Sequence, residues 1–301
     1  MTIDIDAELV PDDTRWGQGY GRPYSPAELD DIARNIATPQ PGYRFRLRAN
    51  SPGWSPAVSG RAHVPPGYDA LRHPNRDGVD PDALDPEFAT QDDPVPAVAV
   101  EPGLQQYCRD RGWVLDQHGR PLHPLHLQLL ADSRIGLPAG LGYAHWYGEA
   151  VVADAVVTTA DGDVLLTGRE TASGRIPCLP GGYAIPADAG RTAADWRHGL
   201  RPVTRDSVIA AAARKTRDET GVAVGKDTPA TIVRAIRPIS SPHTLHAWTC
   251  IYTVRFDLAD TIGPPPDPAT GARWASVDDL HERLLGRMWP DHRRAILAAV
   301  E

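Results

Sequence analysis

The chain has 301 residues, of which 41% are hydrophobic, enough to form one large domain or two modest ones. Its formal net charge of −8 argues against electrostatic capture of nucleic acid or of an anionic membrane. The three cysteines show no C-x-x-C spacing, the acidic first residues do not resemble a signal peptide, and no apolar run approaches membrane-spanning length. These features predict a soluble cytoplasmic protein and leave its oligomeric state open.

The first 140 residues are predicted to be rich in loops, because they hold 18 of the 30 prolines. Ser25-Pro26-Ala27-Glu28 predicts the start of a helix, and short strands are predicted at 43–47 and 95–100. A disordered tail is the alternative, but disordered segments are usually poor in aromatic residues. Aromatic residues recur here, at Trp16, Trp54, Tyr68, Phe88, Tyr107 and Trp113. We therefore predict an irregular, β-containing domain over residues 1–140.

From residue 150 onward the pattern predicts strands that alternate with helices. Four apolar or β-branched runs are predicted as strands, at 151–158, 164–166, 231–236 and 247–256. Ala160-Asp161-Gly162-Asp163 predicts a hairpin turn between the first two. An alanine-rich helix is predicted over 207–220, with Asp206 as N-cap and Gly221 at its end, and a last helix over 287–300. Residues 141–301 are thus predicted to form an α/β sandwich with a mixed sheet.

One motif lies at the end of the alanine-rich helix. Leu179-Pro180-Gly181-Gly182 forms a turn sequence, and residues 214–222 read RKTRDETGV. Together they resemble the Nudix box, G-x5-E-x7-R-E-U-x-E-E-x-G-U, of the Nudix hydrolases. The resemblance implies an α/β/α sandwich and hydrolysis of a diphosphate bond with Mg²⁺ or Mn²⁺. The other interpretation is an ordinary solvated charge cluster near a helix end, which the flanking Gly-Gly and Thr-Gly-Val sequences disfavour.

The resemblance assigns roles to individual residues of the motif. Asp218 and Glu219 fall on two metal-binding glutamates, and the carbonyl of Gly182 is implied as a further oxygen ligand. Arg214 is implied to brace the acidic residues. Carboxylates suit Mg²⁺, which accepts oxygen ligands and neutralises phosphate charge during displacement at phosphorus.

Lys215 departs from the motif, because it stands where the family has its first metal-binding glutamate. The change moves the local charge by two units and removes an oxygen ligand. Three consequences are open: the site is inactive, it works with fewer metal ions, or the Lys215 ammonium neutralises the diphosphate where a metal did. The surviving acidic pair favours activity.

The spacing of the motif is also changed by an insertion. Counting six residues forward from Gly182 gives Asp188, and counting eight back from Arg214 gives Asp206, so the interval is 18 residues longer than in the motif. The additional segment, 189–205, contains Arg197 among several cations. It is interpreted either as a phosphate clamp over the site or as a solvated surface excursion.

Blocks outside the motif are similar to one Nudix branch, the ADP-ribose pyrophosphatases of the human mitochondrial type, which includes the module of an ADP-ribose-gated cation channel. Trp146-Tyr147-Gly148 with the following Ala153-Asp154-Ala155 resembles its W-G-P-N-H-A-A-D. The segments 242–248 and 271–277 resemble its R-N-T-D-N-A-W and G-K-V-K-W-V-D-I. Further similarity lies at 75–88 and 118–124. The branch implies ADP-ribose or an NAD-type dinucleotide as substrate.

Residues on the substrate side depart from the branch. Leu245 and His246 replace its D-N, so His243 and His246 are candidates for a replacement general base, or else form a polar rim at a strand edge. Trp146 and Tyr183 could stack an adenine, although single aromatic residues more often belong to a core. Asp154 is placed with the substrate-binding residues by the block that contains it.

The sequence supports three hypotheses of different classes. The leading one is an enzyme that hydrolyses ADP-ribose or an NAD-type, possibly modified, dinucleotide to AMP and a phosphorylated ribose product. The second is a catalytically silent module that binds ADP-ribose-like nucleotides, which Lys215 motivates. The third is a scaffold built on the same fold. A small-molecule dinucleotide is the expected partner in the first two.

Overall fold

The computed structural model describes residues 23–37, 102–116, 119–132, 147–171, 174–192, 195–196, 204–236 and 246–300. Several features predicted from sequence lie outside these residues, namely the strands at 43–47 and 95–100 and the block at 75–88. Nothing in the described part tests the proposed division at residue 140, which stays a prediction. No described helix is long and apolar enough to cross a membrane.

The predicted mixed sheet is confirmed, and among the described residues it has seven strands, four of which were predicted. The seven are β1 (Gly148–Thr158), β2 (Val164–Thr171), β3 (Gly174–Cys178), β4 (Gly181–Tyr183), β5 (Ala230–Ile236), β6 (Ala247–Asp257) and β7 (Arg273–Ala275). The order along the sheet is β3-β2-β1-β6-β5, while β4 pairs with β1 and β7 with β2. β1 and β6 run parallel over their full length, and the other pairs are antiparallel. The predicted hairpin joins β1 to β2, and Gly162 has a φ of 87° in its turn.

The helices lie in chain order α1 (Pro26–Ala37), α2 (Pro102–Asp110), α3 (His126–Ala131), α4 (Arg205–Thr220), α5 (Val277–Asp279) and α6 (Pro290–Val300). A π turn, Leu280–Leu284, and a 3-10 turn, Leu285–Arg287, continue α5 toward α6. The α6 helix begins at Pro290 instead of the predicted 287, because proline suits the first helical position. The start predicted at Ser25-Pro26 is confirmed, and Ser25 and Glu28 cap each other there.

Helix α4 carries most of the motif and covers one face of the sheet. It begins earlier than predicted, because Thr204 and not Asp206 is its N-cap: Thr204 Oγ1 accepts from the Ser207 backbone N–H at 3.0 Å, and Ser207 Oγ accepts from the Thr204 N–H at 2.8 Å. It ends at Gly221 with a φ of 75°, as the sequence predicts. The cap fixes where the helix begins, and the spacing of four between Lys215 and Glu219 puts these two on one face.

The two faces of β1 pack against different helices because strand side chains alternate. Ala153, Ala155 and Val157 belong to the cluster that includes the buried residues of α4. Val156 belongs to the opposite cluster, with buried residues of α6. Asp154 lies between Ala153 and Ala155 and therefore points toward the α6 side. A polar residue thus stands at an interior position of a central strand.

Residues of the N-terminal half pack directly on the sheet. Trp113, with Leu104 and Cys108 of α2, forms one buried cluster with Ala247 and Trp248 at the start of β6. The rings of Trp113 and Trp248 meet edge to face, with centroids 4.9 Å apart. Segment 102–116 therefore shares its hydrophobic core with β1 and β6.

Candidate functional site

The Gly181–Gly182 turn and the last turns of α4 lie against each other. Glu219 is 23% exposed, and its Oε2 accepts a hydrogen bond of 3.2 Å from the Gly181 backbone N–H. Gly181 also pairs with Asp154 across β4 and β1, so closely that a Cβ on Gly181 would lie 2.0 Å from Asp154 Oδ1. Only glycine therefore fits at 181, and the turn brings two carboxylates to one peptide unit.

Lys215 faces the same turn. It lies one helical turn before Glu219, and its Nζ is 3.7 Å from Glu219 Oε1. A Cβ on Gly182 would lie 2.5 Å from Lys215 Cε and 3.0 Å from its Nζ. The side chain that departs from the motif thus places an ammonium group beside Gly182 and Glu219, two of the predicted metal ligands.

Arg169 of β2 is a second cation of the site, and the sequence analysis missed it. Its Nη2 lies 3.7 Å from Glu219 Oε1 and donates to the Gly181 carbonyl at 3.5 Å. No motif spacing marks this residue, because it arrives through the pairing of strands. Together with Lys215 it puts two positive groups at a single carboxylate oxygen.

Arg214 joins the motif helix to the segment that follows the Gly181–Gly182 turn, and its predicted role of bracing the acidic residues stays a prediction. Its Nε and Nη2 donate to the two oxygens of Asp188, both at 2.8 Å, and Nη2 also donates to the Tyr183 carbonyl at 2.9 Å. The hydrogen bonds to Asp188 raise the pKa of Arg214. Of the two acids found by counting, Asp188 therefore meets the arginine, whereas Asp206 is exposed in the first turn of α4.

Asp218 pairs with arginines of the motif helix, whereas its neighbour Glu219 pairs with Lys215 and Arg169. Its carboxylate is 45% exposed and lies 3.5 Å from Arg214 and 3.7 Å from Arg217. Adjacent residues on a helix do not share a face. Asp218 and Glu219 are thus paired with different cations.

Asp154 is the most perturbed acid of the site. Burial raises the pKa of Asp154 to about 7, the charge of Arg169 opposes that rise, and Glu219 adds to it. A carboxyl group with such a pKa can hold or release a proton near neutral pH. Its position beside Gly181 makes it a candidate for proton transfer in addition to the substrate contact predicted for it.

His292 of α6 is another site residue that the sequence analysis missed. Its Nδ1 accepts a hydrogen bond of 2.9 Å from the Leu179 backbone N–H, and its Nε2 lies 3.9 Å from Asp154 Oδ2. Burial lowers the pKa of His292 to about 4, so the ring is neutral at physiological pH. With Nδ1 accepting, the proton of the neutral ring resides on Nε2 and faces Asp154.

His246 lies in the interior of the protein and not at an exposed strand edge, where a polar rim would place it. The ring is completely buried, and Nε2 lies 3.1 Å from Asp116 Oδ2. Burial alone would raise the pKa of Asp116, but the hydrogen bond from His246 and the charge of Arg120 hold this pKa well below its usual range. His246 precedes β6 beside Gly148, six residues from Asp154 along β1, which is about 20 Å of extended strand.

The remaining predicted substrate contacts are only partly described. Tyr183 is half-buried and packs against the aromatic cluster of Trp113 and Trp248. Three residues lie outside the described residues: Trp146, Arg197 and His243. The structure therefore brings Asp154, Gly182, Lys215 and Glu219 together, and Arg214 with Tyr183 and Asp218 beside them.

The oxygen atoms at the turn suit a metal ion shared with the substrate better than one bound by protein side chains alone. Among the residues that the structure describes, no group of three His, Cys, Asp or Glu side chains could hold a metal ion. Mg²⁺ in phosphate chemistry, however, is commonly bound by one or two carboxylates together with oxygens of the substrate. Glu219, next to Gly182, fits that second arrangement, in which the ion arrives with the phosphate.

A family model described as NUDIX domain matches residues 148–299, which is half of the chain. A search of curated proteins finds no match. The matched region contains the whole sheet, α4 and most of α6.

Solved structures similar to this chain cover the same half. A study of MutT from Aliivibrio salmonicida and Vibrio cholerae gives 15% identity and a TM-score of 0.31, covering 50% of this chain and 98% of that one. The bifunctional NMN adenylyltransferase/ADP ribose pyrophosphatase of Francisella tularensis, complexed with AMP and a Mn ion, gives 17% identity and a TM-score of 0.35, covering 51% of this chain and 41% of that one. The NUDIX domain of Shewanella oneidensis NrtR complexed with ADP ribose gives 16% identity and a TM-score of 0.33, covering 51% of this chain and 88% of that one.

Proposed function

The chain belongs to the NUDIX domain family, and on that premise we propose that it hydrolyses the diphosphate bond of ADP-ribose or an NAD-type dinucleotide. The products are AMP and a phosphorylated ribose compound. One observation carries the proposal: two carboxylates, Asp154 and Glu219, and two cations, Lys215 and Arg169, meet at the Gly181–Gly182 turn. The choice of ADP-ribose rests on the sequence blocks around Trp146, 242–248 and 271–277.

The residues of the turn divide the work of binding and positioning. A Mg²⁺ or Mn²⁺ ion bound by Glu219, the Gly182 carbonyl and phosphate oxygens would neutralise phosphate charge and polarise the phosphorus centre, whereas Asp218, predicted as a further ligand, faces Arg214 and Arg217 instead. The Lys215 ammonium binds phosphate oxygens directly. Arg214 fixes the turn to α4 through Asp188 and the Tyr183 carbonyl, so that the acidic side chains keep their positions during turnover.

Asp154 supplies a proton acceptor. Its pKa of about 7 leaves part of the population ionised at neutral pH, when it can take a proton from the attacking water. The Nε2 side of His292 faces the same carboxylate at 3.9 Å. In this role Asp154 replaces the histidines, of which His246 is buried against Asp116.

A catalytically silent nucleotide-binding module is the second candidate. The observation in its favour is that the Lys215 ammonium lies 3.7 Å from Glu219, where it competes with a metal ion for the carboxylate. This candidate predicts nucleotide binding with no AMP release at any metal concentration.

Incubation with ADP-ribose, NAD and related dinucleotides in the presence of Mg²⁺ or Mn²⁺, followed by chromatography of AMP, separates the two. AMP release is expected. Glu219→Gln keeps the size of the side chain and should lower kcat by at least about a hundredfold. Glu282→Gln, the same change at an exposed residue of the π turn, is the matched control and should leave kcat unchanged.

Failure of any dinucleotide to yield AMP would refute the enzymatic proposal, and calorimetric binding of ADP-ribose would then favour the silent module. If activity survives Glu219→Gln untouched, the Gly181–Gly182 turn is not the catalytic site. The scaffold hypothesis gains only if no dinucleotide binds.

A further inference from the structure

Two cations converge on one oxygen atom of Glu219. Lys215 Nζ and Arg169 Nη2 each lie 3.7 Å from Oε1, although they come from different elements, α4 and β2. At 3.7 Å a pair attracts by charge but lies beyond hydrogen-bond distance. The ammonium and guanidinium therefore attract this oxygen by charge, while Arg169 Nη2 also donates to the Gly181 carbonyl at 3.5 Å.

Glu219 has a hydrogen-bond partner besides these two cations. Its second oxygen, Oε2, accepts from the Gly181 backbone N–H at 3.2 Å. An incoming anion can thus take over both cations while Glu219 keeps a hydrogen-bond partner. The exchange avoids the cost of leaving a half-buried carboxylate without a partner.

The three side chains are also accessible. Arg169 is 45% exposed, Lys215 26% and Glu219 23%. Two cations thus face the single carboxylate of Glu219. At positions 215, 218 and 219 the chain carries one cation and two acids where the family motif has three acids, and Arg169 adds a second cation.

We propose that Lys215 and Arg169 together bind a diphosphate group in the absence of a divalent metal ion, so that metal serves turnover and not capture of the substrate. The proposal rests on the proposed function only for the chemical class of the ligand. Arg169 and Lys215 are then binding residues that replace the charge of a metal ion, and a side chain at Gly182 would shift the ammonium from its position.

Calorimetry with inorganic pyrophosphate in excess EDTA tests the proposal on the full chain. Wild type should bind pyrophosphate in EDTA with a Kd no more than about tenfold weaker than in Mg²⁺. Lys215→Gln and Arg169→Gln should each weaken this binding by at least about tenfold, because each removes a charged donor to phosphate. Arg283→Gln is the matched control, since it removes a guanidinium that is 74% exposed and pairs with Asp279.

Conservative variants keep the test valid if a neutral variant is unstable. Lys215→Arg and Arg169→Lys retain the charge and should bind pyrophosphate within about fivefold of wild type, and raised salt should weaken binding in all of them. Thermal unfolding of each variant shows whether it is folded under the assay conditions.

Three results would overturn the inference: EDTA abolishes binding to wild type, the Gln variants bind as tightly as Arg283→Gln, or the charge-retaining variants bind no better than the Gln variants. Its failure is distinguishable from failure of the proposed function. Pyrophosphate binding in EDTA without AMP release from any dinucleotide would support the inference and refute hydrolysis, whereas AMP release with strictly metal-dependent binding would do the reverse.

Discussion

Asp188→Asn should destabilise the protein strongly, because Asp188 is the sole acidic residue that receives two hydrogen bonds from Arg214 among those described. The substitution keeps the size of the side chain but replaces a carboxylate oxygen with an NH₂ group, which opposes the guanidinium. Asp188 also accepts from the Ile185 backbone N–H at 2.9 Å, and it is only 5% exposed. The change therefore disrupts a nearly buried ion pair and a turn together.

The magnitude follows from the burial of the pair. Removing one partner of a buried ion pair costs about 3–5 kcal/mol, and because Arg214 is 20% exposed we expect about 2–4 kcal/mol here. For a domain of this size that corresponds to a fall in Tm of roughly 4–16 °C. Asp206→Asn is the matched control: Asp206 is exposed in the first turn of α4, where losing a charge costs about 0.3–1 kcal/mol.

Denaturant unfolding of both variants, monitored by tryptophan fluorescence and circular dichroism, gives the comparison. The free energy of unfolding should fall several times more for Asp188→Asn than for Asp206→Asn. Equal losses in the two variants would refute the assignment of Asp188 as the partner of Arg214. A larger loss for Asp206→Asn would make it the acid on which the motif helix depends.

Three further predictions concern charge and domain organisation. Lys215→Glu restores the family residue and should lower kcat, because the phosphate clamp loses a cation; a gain in Mg²⁺-dependent AMP release would contradict this. Unfolded Asp154 loses its proton above about pH 4, whereas folded Asp154 keeps it until about pH 7, so the free energy of unfolding of wild type falls over that range. Asp154→Asn does not titrate and should gain up to about 4 kcal/mol relative to wild type between these pH values, measured by denaturant unfolding. A 141–301 fragment exposes Trp248 and should be poorly soluble or bind ADP-ribose more weakly; unchanged kinetics in a soluble fragment would argue against a shared core.

The elements of the second half could be predicted because their signals are local. Apolar runs gave the long strands, and the alanine-rich stretch ending at Gly221 gave α4. The N-cap was wrong by two residues, since Asp206 and Thr204 are both good caps and the choice depends on which one meets Ser207.

Arg169 and His292 could not be predicted, because neither belongs to a spacing pattern. Arg169 reaches Glu219 through the pairing of β2 in the sheet, and His292 reaches Leu179 from a helix 113 residues further along the chain. Such contacts depend on tertiary packing, which a single sequence does not encode as a period. The same holds for Asp116 and His246, which are 130 residues apart and both buried.

The parallel pairing of β1 with β6 has a consequence for tolerance to insertions. Gly148 pairs with Ala247, so the chain closes a loop of 99 residues (247 minus 148) when these strands meet. Loop-closure entropy grows only with the logarithm of loop length, and the 18 additional residues of the motif interval raise its cost by about 0.2 kcal/mol. A segment as long as the one between Asp188 and α4 can therefore be accommodated with almost no penalty in loop-closure entropy.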